Sequence, residues 1–218
     1  MKIYATSDLH GNLEGINPTG CDVCVIAGDL DYHGFDDPDR HRIFIEGTVC
    51  GFATAFPTVK FVLVAGNHDL FRPDNIKWPS NVICLRDSGC TINGVRFWGT
   101  SLVYAWRKGC RWANATSSGA HARFMWSHIP VGTDVLVTHM PPYIPDSSVD
   151  WSCKGQEHDG SRILAEEIKR AKVRCVICGH VHEGEHCKQM LGNTAVFNVS
   201  RCDNNHNVTY APLVIDLA

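Results

Sequence analysis

The sequence predicts an α/β fold with a largely parallel sheet, on two observations. Short apolar, β-branched runs recur between turn residues and alternate with helical stretches, the pattern of strands buried on both faces and joined by right-handed crossovers. Five of these runs also stop at residues that carry chemistry. The clearest, Phe61-Val62-Leu63-Val64-Ala65, is followed at once by Gly66-Asn67-His68-Asp69. Ligands gather beyond the carboxyl ends of strands in open α/β sheets, so a site is expected there.

Taken in order, a first strand over Lys2 to Ser7 runs into Asp8-Leu9-His10, and a second over Asp22 to Ala27 ends in Gly28-Asp29. Asp36-Asp37-Pro38 reads as a helix start, because acids and Pro suit the first turn. Ile43, Phe44, Val49, Phe52 and Phe56 carry that helix to about Ala55. The third strand is the one opening at Phe61. Beyond Asp69 the pattern turns antiparallel: Val82 to Leu85, then Cys90-Thr91-Ile92 and Val95 to Trp98 about Asn93-Gly94, a strong hairpin signal. Residues 104–128 are rich in Trp and basic groups (Trp106, Trp112, Trp126, Arg107, Lys108, Arg111), with Ser117-Ser118 opening a short helix. A strand over Asp134 to Thr138 delivers His139, and the prolines at 141 and 142 stop its pairing. A long loop from Tyr143 to Gly160, of a length that favours function, precedes a helix over Ser161 to Ala171. The strand over Val173 to Cys178 then ends in Gly179-His180-Val181-His182, and three strands are expected near Cys187–Leu191, Ala195–Val199 and Pro212–Leu217.

The 218 residues fit one domain, residues 1–218. A net charge of -3 without a basic stripe argues against polymeric nucleic acid as substrate. No apolar run is long enough to span a bilayer, and Met1 leads straight into a strand without a signal-peptide pattern, so a cytoplasmic location and no membrane partner are expected. Eleven cysteines are then expected to be reduced. The pairs Cys21/Cys24 and Cys175/Cys178 offer a zinc or redox reading, but each sits in or beside an apolar strand, where cysteine acts as a small hydrophobe, and the core reading is preferred.

The five strand endings supply Asp8 and His10; Asp29; Asn67 with His68; His139; and His180 with His182. One such ending is weak, since a lone histidine beside a strand is more often structural. Five on strands expected side by side point to a metal or catalytic site. Carboxylate, imidazole and amide-oxygen donors suit Mn, Fe or Zn, and seven ligands are too many for one open site but right for two. Asp29, alone on its strand, is the natural bridge. Two ions roughly 3.5–4 Å apart bind an anionic ester, acidify a bridging water and stabilise both oxygens of an in-line displacement. The chemistry indicated is phosphoester hydrolysis.

The series Asp8-x-His10, Gly28-Asp29, Gly66-Asn67-His68-Asp69, Thr138-His139-Met140-Pro141-Pro142 and Gly179-His180-Val181-His182 resembles the calcineurin-like metallophosphoesterases. The resemblance implies a four-layer αββα sandwich, two mixed sheets flanked by helices. It assigns Asp8, His10, Asp29 and His182 to one divalent ion and Asp29, Asn67, His139 and His180 to the other. It makes His68 the imidazole that contacts the phosphoester and protonates the leaving oxygen, as general acid to a metal-bridging hydroxide, with Asp69 orienting it. Protein Ser/Thr phosphatases of the family carry Arg before Gly-Asn-His and an Asp-Arg pair after the second strand. Here stand Ala65 and Asp31-Tyr32-His33, so a phosphoprotein substrate is disfavoured. The sequence is most similar to small single-domain members that act on phosphodiesters, including cyclic nucleotides, although Met140 stands where that branch has Gly.

The expected activity is therefore that of a dinuclear hydrolase of small phosphoesters, diesters preferred. A phosphomonoesterase is the alternative within the enzyme class; a catalytically silent metal-binding scaffold and a thiol-based redox protein are the alternatives outside it. Asn67 and His68 are expected to touch substrate. Tyr143 or Trp151, in the loop after the His139 turn, are expected to give it an aromatic wall; the competing reading packs these rings under the loop.

Overall fold

Alternating burial along short strands sets the layers. In Val23-Cys24-Val25-Ile26-Ala27 the side chains of Val23, Val25 and Ala27 join one apolar cluster while Cys24 and Ile26 join another, as a period of two requires. The structure is a computed structural model, which describes residues 1–31, 37–105, 112–152, 157–184 and 188–217.

The chain runs through β1 (Lys2–Thr6), β2 (Val23–Ala27), α1 (Pro38–Phe44), a π-helical stretch (Ile45–Val49), α2 (Cys50–Thr54), β3 (Lys60–Val64), β4 (Val82–Cys84), β5 (Ser88–Ile92) and β6 (Val95–Thr100). The short strands β7 (Val103–Tyr104) and β8 (Ala115–Thr116) and the helix α3 (Gly119–Trp126) come next. They are followed by β9 (Val135–Thr138), β10 (Trp151–Ser152), β11 (Glu157–His158), α4 (Arg162–Ala171), β12 (Cys175–Cys178), β13 (Lys188–Leu191), β14 (Thr194–Asn198) and β15 (Leu213–Asp216). Helix starts follow the side-chain chemistry. Asp37 caps α1 by accepting from Asp39 and Arg40, with Pro38 in the first turn. Ser118 and Ser161 cap α3 and α4 by accepting from His121 and Leu164.

Two large sheets result. One has the order β15-β1-β2-β3-β4, parallel except for β15; the other has the order β13-β14-β12-β9-β6-β5, with antiparallel edges β13 and β5. Between them lie Ile3, Val25, Val62 and Val64 of the first sheet against Phe97, Val135, Val137 and Ile177 of the second. The outer face of the first sheet packs Ile26, Phe61 and Leu63 on Ile45, Val49 and Ala53 of the α1–α2 segment. The outer face of the second packs Leu136, Val176 and Val196 on Trp126, Leu164 and Ile168 of α3 and α4. This is the four-layer arrangement of two mixed sheets between helices. Full burial of each large aliphatic chain contributes roughly 1.5–3 kcal/mol.

Three elements differ from expectation. The residues Val82–Cys84 pair parallel to β3 (Phe61 with Val82) and belong to the first sheet, not to the antiparallel group. The helix expected through Ala55 changes to π pitch at Ile45–Val49, which contains Gly47. Most importantly, β9 and β12 do not lie beside β1, β2 and β3; they form the middle of the second sheet. The Asn93-Gly94 hairpin forms, with Ile92 opposite Val95. Of the Trp-rich segment, residues 106–111 lie outside the described residues, as do Tyr32 and His33.

Cys24, Cys175 and Cys178 are buried in strands and unpaired. Burial pushes the Cys175 thiol up to about 12 and the Cys178 thiol well above its usual value, away from thiolate chemistry.

Candidate metal centre

The loops after β1 and β2 are laced together by backbone hydrogen bonds: Asp8 N–H donates to the Gly28 carbonyl (3.0 Å) and His10 N–H to that of Asp29 (3.1 Å). Asp8, His10, Asp29 and, in the second sheet, His180 all have left-handed backbone, with φ of 54°, 43°, 52° and 70°. Each position costs about 1–2 kcal/mol for a non-glycine residue, and together these turns direct side chains inward past the strand ends. The loop after β3 is tied in when His68 N–H donates to Asp29 Oδ1 at 2.9 Å. The loop after β12 is tied in when His180 N–H donates to the Asp8 carboxylate at 3.2 Å. Close approach explains two glycines. A Cβ on Gly66 would run into Asp29, and one on Gly179 into Ser7 and Asp8.

Two donor groups share Asp29. On one side, His182 Nε2 lies 3.3 Å from Asp8 Oδ1 and 3.3 Å from His10 Nε2, and ligand atoms of Asp8, His10 and Asp29 lie within 4.8 Å of one another. On the other, His139 Nε2 lies 3.3 Å from Asp29 Oδ2 and 2.9 Å from Asn67 Oδ1, with the His180 ring centroid 5.0 Å from that of His139. Backbone carbonyls fix two tautomers. His139 Nδ1 is 2.9 Å from the Ala27 carbonyl and His182 Nδ1 2.8 Å from that of Asp203. An oxygen without a proton at each Nδ1 leaves Nε2 to offer a lone pair inward.

These residues fit divalent ions. Asp8 and Asp29 are buried carboxylates at close quarters, an arrangement that needs positive charge. Burial would lower His139 and His182, yet the two carboxylates raise each imidazole to about 9, so protons take the positions that cations would hold. Burial lowers His180 to about 3 and His10 to about 4, leaving both neutral as ligands must be.

The calcineurin-like phosphoesterase family model matches residues 1–184. The chain belongs to that family. It is therefore a metal-dependent phosphoesterase. Metallophosphoesterase domain-containing protein 1 of Homo sapiens is 30% identical over 244 residues, covering 99% of this chain and 71% of that protein. UPF0046 protein K07C11.7 of Caenorhabditis elegans is 29% identical over 234 residues, covering 98% and 74%. Among solved structures, the phosphopantetheinyl hydrolase of Mycobacterium tuberculosis superposes with a TM-score of 0.56 at 16% identity, covering 91% of this chain and 88% of that one. TT1561 of Thermus thermophilus does so with 0.61 at 18%, covering 92% and 90%. These two show a shared fold. Among the described residues no helix is long and apolar enough to cross a membrane.

In this phosphoesterase His68 stands at the rim, 23% exposed, with Nε2 3.9 Å from Asp29 Oδ2. Burial lowers its pKa and Asp29 opposes the shift. The Asp69 carboxylate accepts from the backbone N–H groups of Gly66 (2.7 Å), Leu30 (3.0 Å) and Asp31 (3.4 Å), so it joins the β2 and β3 loops. Burial, then Asp29, raises its pKa to about 7.

A cleft of about 220 Å³ opens over the centre, bordered by His68, Trp112, Asp159, Glu183, Asn204 and His206. Tyr143 and Trp151 do not border it. The Tyr143 ring lies under the Arg162 guanidinium, 3.6 Å from its centroid, and both rings meet His158 edge-on at 5.1 and 5.0 Å. Among the described residues it is Trp112 whose indole borders the cleft, edge-on to His180 at 5.3 Å. The following Asn114 holds it there, donating to the carbonyls of Gly66 (2.9 Å) and Asp69 (3.0 Å). Met140 points away from the cleft, buried in the second-sheet core with Sδ accepting from Tyr104 N–H. Trp112, Asn114 and His206 carry no local sequence signal; they lie in loops whose docking only the tertiary fold decides.

Proposed function

We propose that this chain is a dinuclear hydrolase of small phosphodiesters. The observation that carries the reading is the sharing of Asp29 between the Asp8–His10–His182 group and the Asn67–His139–His180 group. Each group has the mixed donors of a site for Mn, Fe or Zn. Bound there, two divalent ions would supply Lewis-acid binding of the ester and activation of water.

The chain's own residues do the rest. Asn67 and His139 hold each other in register across the two sheets, and Asp69 fixes the loop that presents His68. His68 sits beside the cleft with its ring exposed to a bound ester. An anionic phosphoryl group there favours the imidazolium, which then passes its proton to the leaving oxygen. The Trp112 ring on the described border of the cleft offers a surface to the second organic group, which a diester carries and a monoester lacks.

The test is metal analysis together with a panel of bis-p-nitrophenyl phosphate, p-nitrophenyl phosphate and cyclic nucleotides under Mn. Two ions per chain and preferential diester turnover are expected. A single ion at saturation would remove the dinuclear reading, and faster monoester turnover the diester preference.

A further inference from the structure

The tail beyond residue 184, outside the family match, returns to the metal centre through the loop Asp203–Asn207. Its His206 ring lies 4.1 Å from that of His10, 5.7 Å from His182 and 6.2 Å from His68, centroid to centroid. Ligand nitrogens of His10, His182 and His206 all lie within 4.8 Å of one another. We propose that His206 is an additional imidazole ligand of the ion held by Asp8, His10, Asp29 and His182, an assignment that rests on the metal-centre reading above.

Three features support it. His206 has φ of 62°, the left-handed backbone that it shares with Asp8, His10, Asp29 and His180. A non-glycine residue stays in that region only where the surrounding structure holds it there. The loop is also built to hold that conformation. The Asp203 carboxylate accepts from Asn205 N–H (2.8 Å) and Asn207 N–H (2.9 Å), and Asn204 Nδ2 donates to Glu183 Oε1 at 2.6 Å, tying the loop to the turn after His182. Finally, one carbonyl serves both histidines: Asp203 O accepts from His182 Nδ1–H (2.8 Å) and from His206 N–H (2.9 Å). The group that fixes the His182 tautomer also sets the position of His206. A third imidazole would fill a coordination position that water or substrate otherwise takes, and would bias that site toward nitrogen-preferring ions such as Zn over Mn.

The experiment is chelator competition on metal-free protein reloaded with Zn(II), reading two dissociation constants, with the visible spectrum of the Co(II)-loaded protein as second readout. His206→Ala and His206→Gln should each weaken one constant by roughly tenfold or more, leave the other, and change the Co(II) bands of that site. Unchanged constants and bands in both variants would overturn the assignment. A raised KM for a phosphodiester with unchanged constants would also overturn it, since His206 would then touch substrate and not metal. His182→Ala is the control: if it too leaves both constants unchanged, the metal centre itself is wrong and the ligand assignment falls with it. A melting curve for each variant separates loss of a ligand from loss of fold.

Discussion

His139 and Asp29 stand on different sheets and meet with the imidazole Nε2 3.3 Å from the carboxylate Oδ2. Asp29 follows β2 of the first sheet and His139 follows β9 of the second, and the carboxyl ends of both strands open toward the same cleft. The apolar layer formed by Val25, Val62, Val135 and Val137 therefore fixes the separation of the two groups of donor side chains. If Asp29 and His139 bind metal as proposed, metal binding and the packing between the sheets are coupled through this pair.

Asp29→Asn should lose metal and activity together. It halves the carboxylate oxygens shared by the two donor groups and removes the charge that holds His139 near 9. Metal content by elemental analysis should fall for both sites, with affinity lower by about 100-fold or more. Retention of both ions would show that Asp29 is not shared.

Replacing His68 by Ala should keep both ions and lower kcat by about 10²–10⁴-fold. The loss should be larger for esters with poor alkyl leaving groups than for nitrophenyl esters, which need no proton. Equal losses across the leaving-group series would remove the general-acid role.

The strand endings Asp8, His10, Asp29, Asn67, His139, His180 and His182 were legible because each follows an apolar run with a period that the backbone enforces. Their distribution over two sheets was not, since a buried parallel strand reads the same in either sheet. What Asp69 binds was not legible for a related reason. A carboxylate after His68 suggests a partner for it, and the three backbone donors that the fold brings to that carboxylate come from two loops and leave no local pattern. Trp112 and His206 sit where long-range packing decides direction. Tyr143 is near His139 in the chain, but its ring packs under the Arg162 guanidinium.

Asp134 offers a pH test remote from the candidate metal centre. Its carboxylate accepts from Arg96 N–H (2.9 Å), Arg96 Nε (3.1 Å) and Arg174 Nη1 (3.3 Å), clamping β6, β9 and β12 at the ends opposite the site. Burial alone would raise this carboxyl, but the hydrogen bonds from Arg96, then Arg174, lower it. A lowered folded pKa contributes stability that is present above the unfolded value of about 3.9 and is lost as pH falls through the folded one. Asp134→Asn should therefore cost about 1 kcal/mol at neutral pH, a modest figure because both arginines are half-exposed. The gap between the two proteins in denaturant melts should close below about pH 4. A gap independent of pH would mean that the charge is not what the arginines hold.

Trp112 should set preference for the leaving group. Trp112 is 40% exposed, borders the cleft and meets His180 edge-on, a position in which its indole would meet a base or aryl group of a bound diester. Stacking of that kind contributes roughly 1–3 kcal/mol per base. Trp112→Ala should raise KM for a cyclic nucleotide or aryl diester by about tenfold, the lower part of that range, and leave a small alkyl diester nearly unchanged. Tyr143→Ala should act differently. It removes the face on which Arg162 rests and the edge contact to His158, so the melting temperature should fall while the ratio of KM values for the two substrates stays the same. Steady-state kinetics on both substrates with a melting curve for each variant decides the matter. If Trp112→Ala lowered stability and raised both KM values equally, the ring would be a prop for the Asn114 segment, and the substrate's organic group would have to rest on another wall of the cleft.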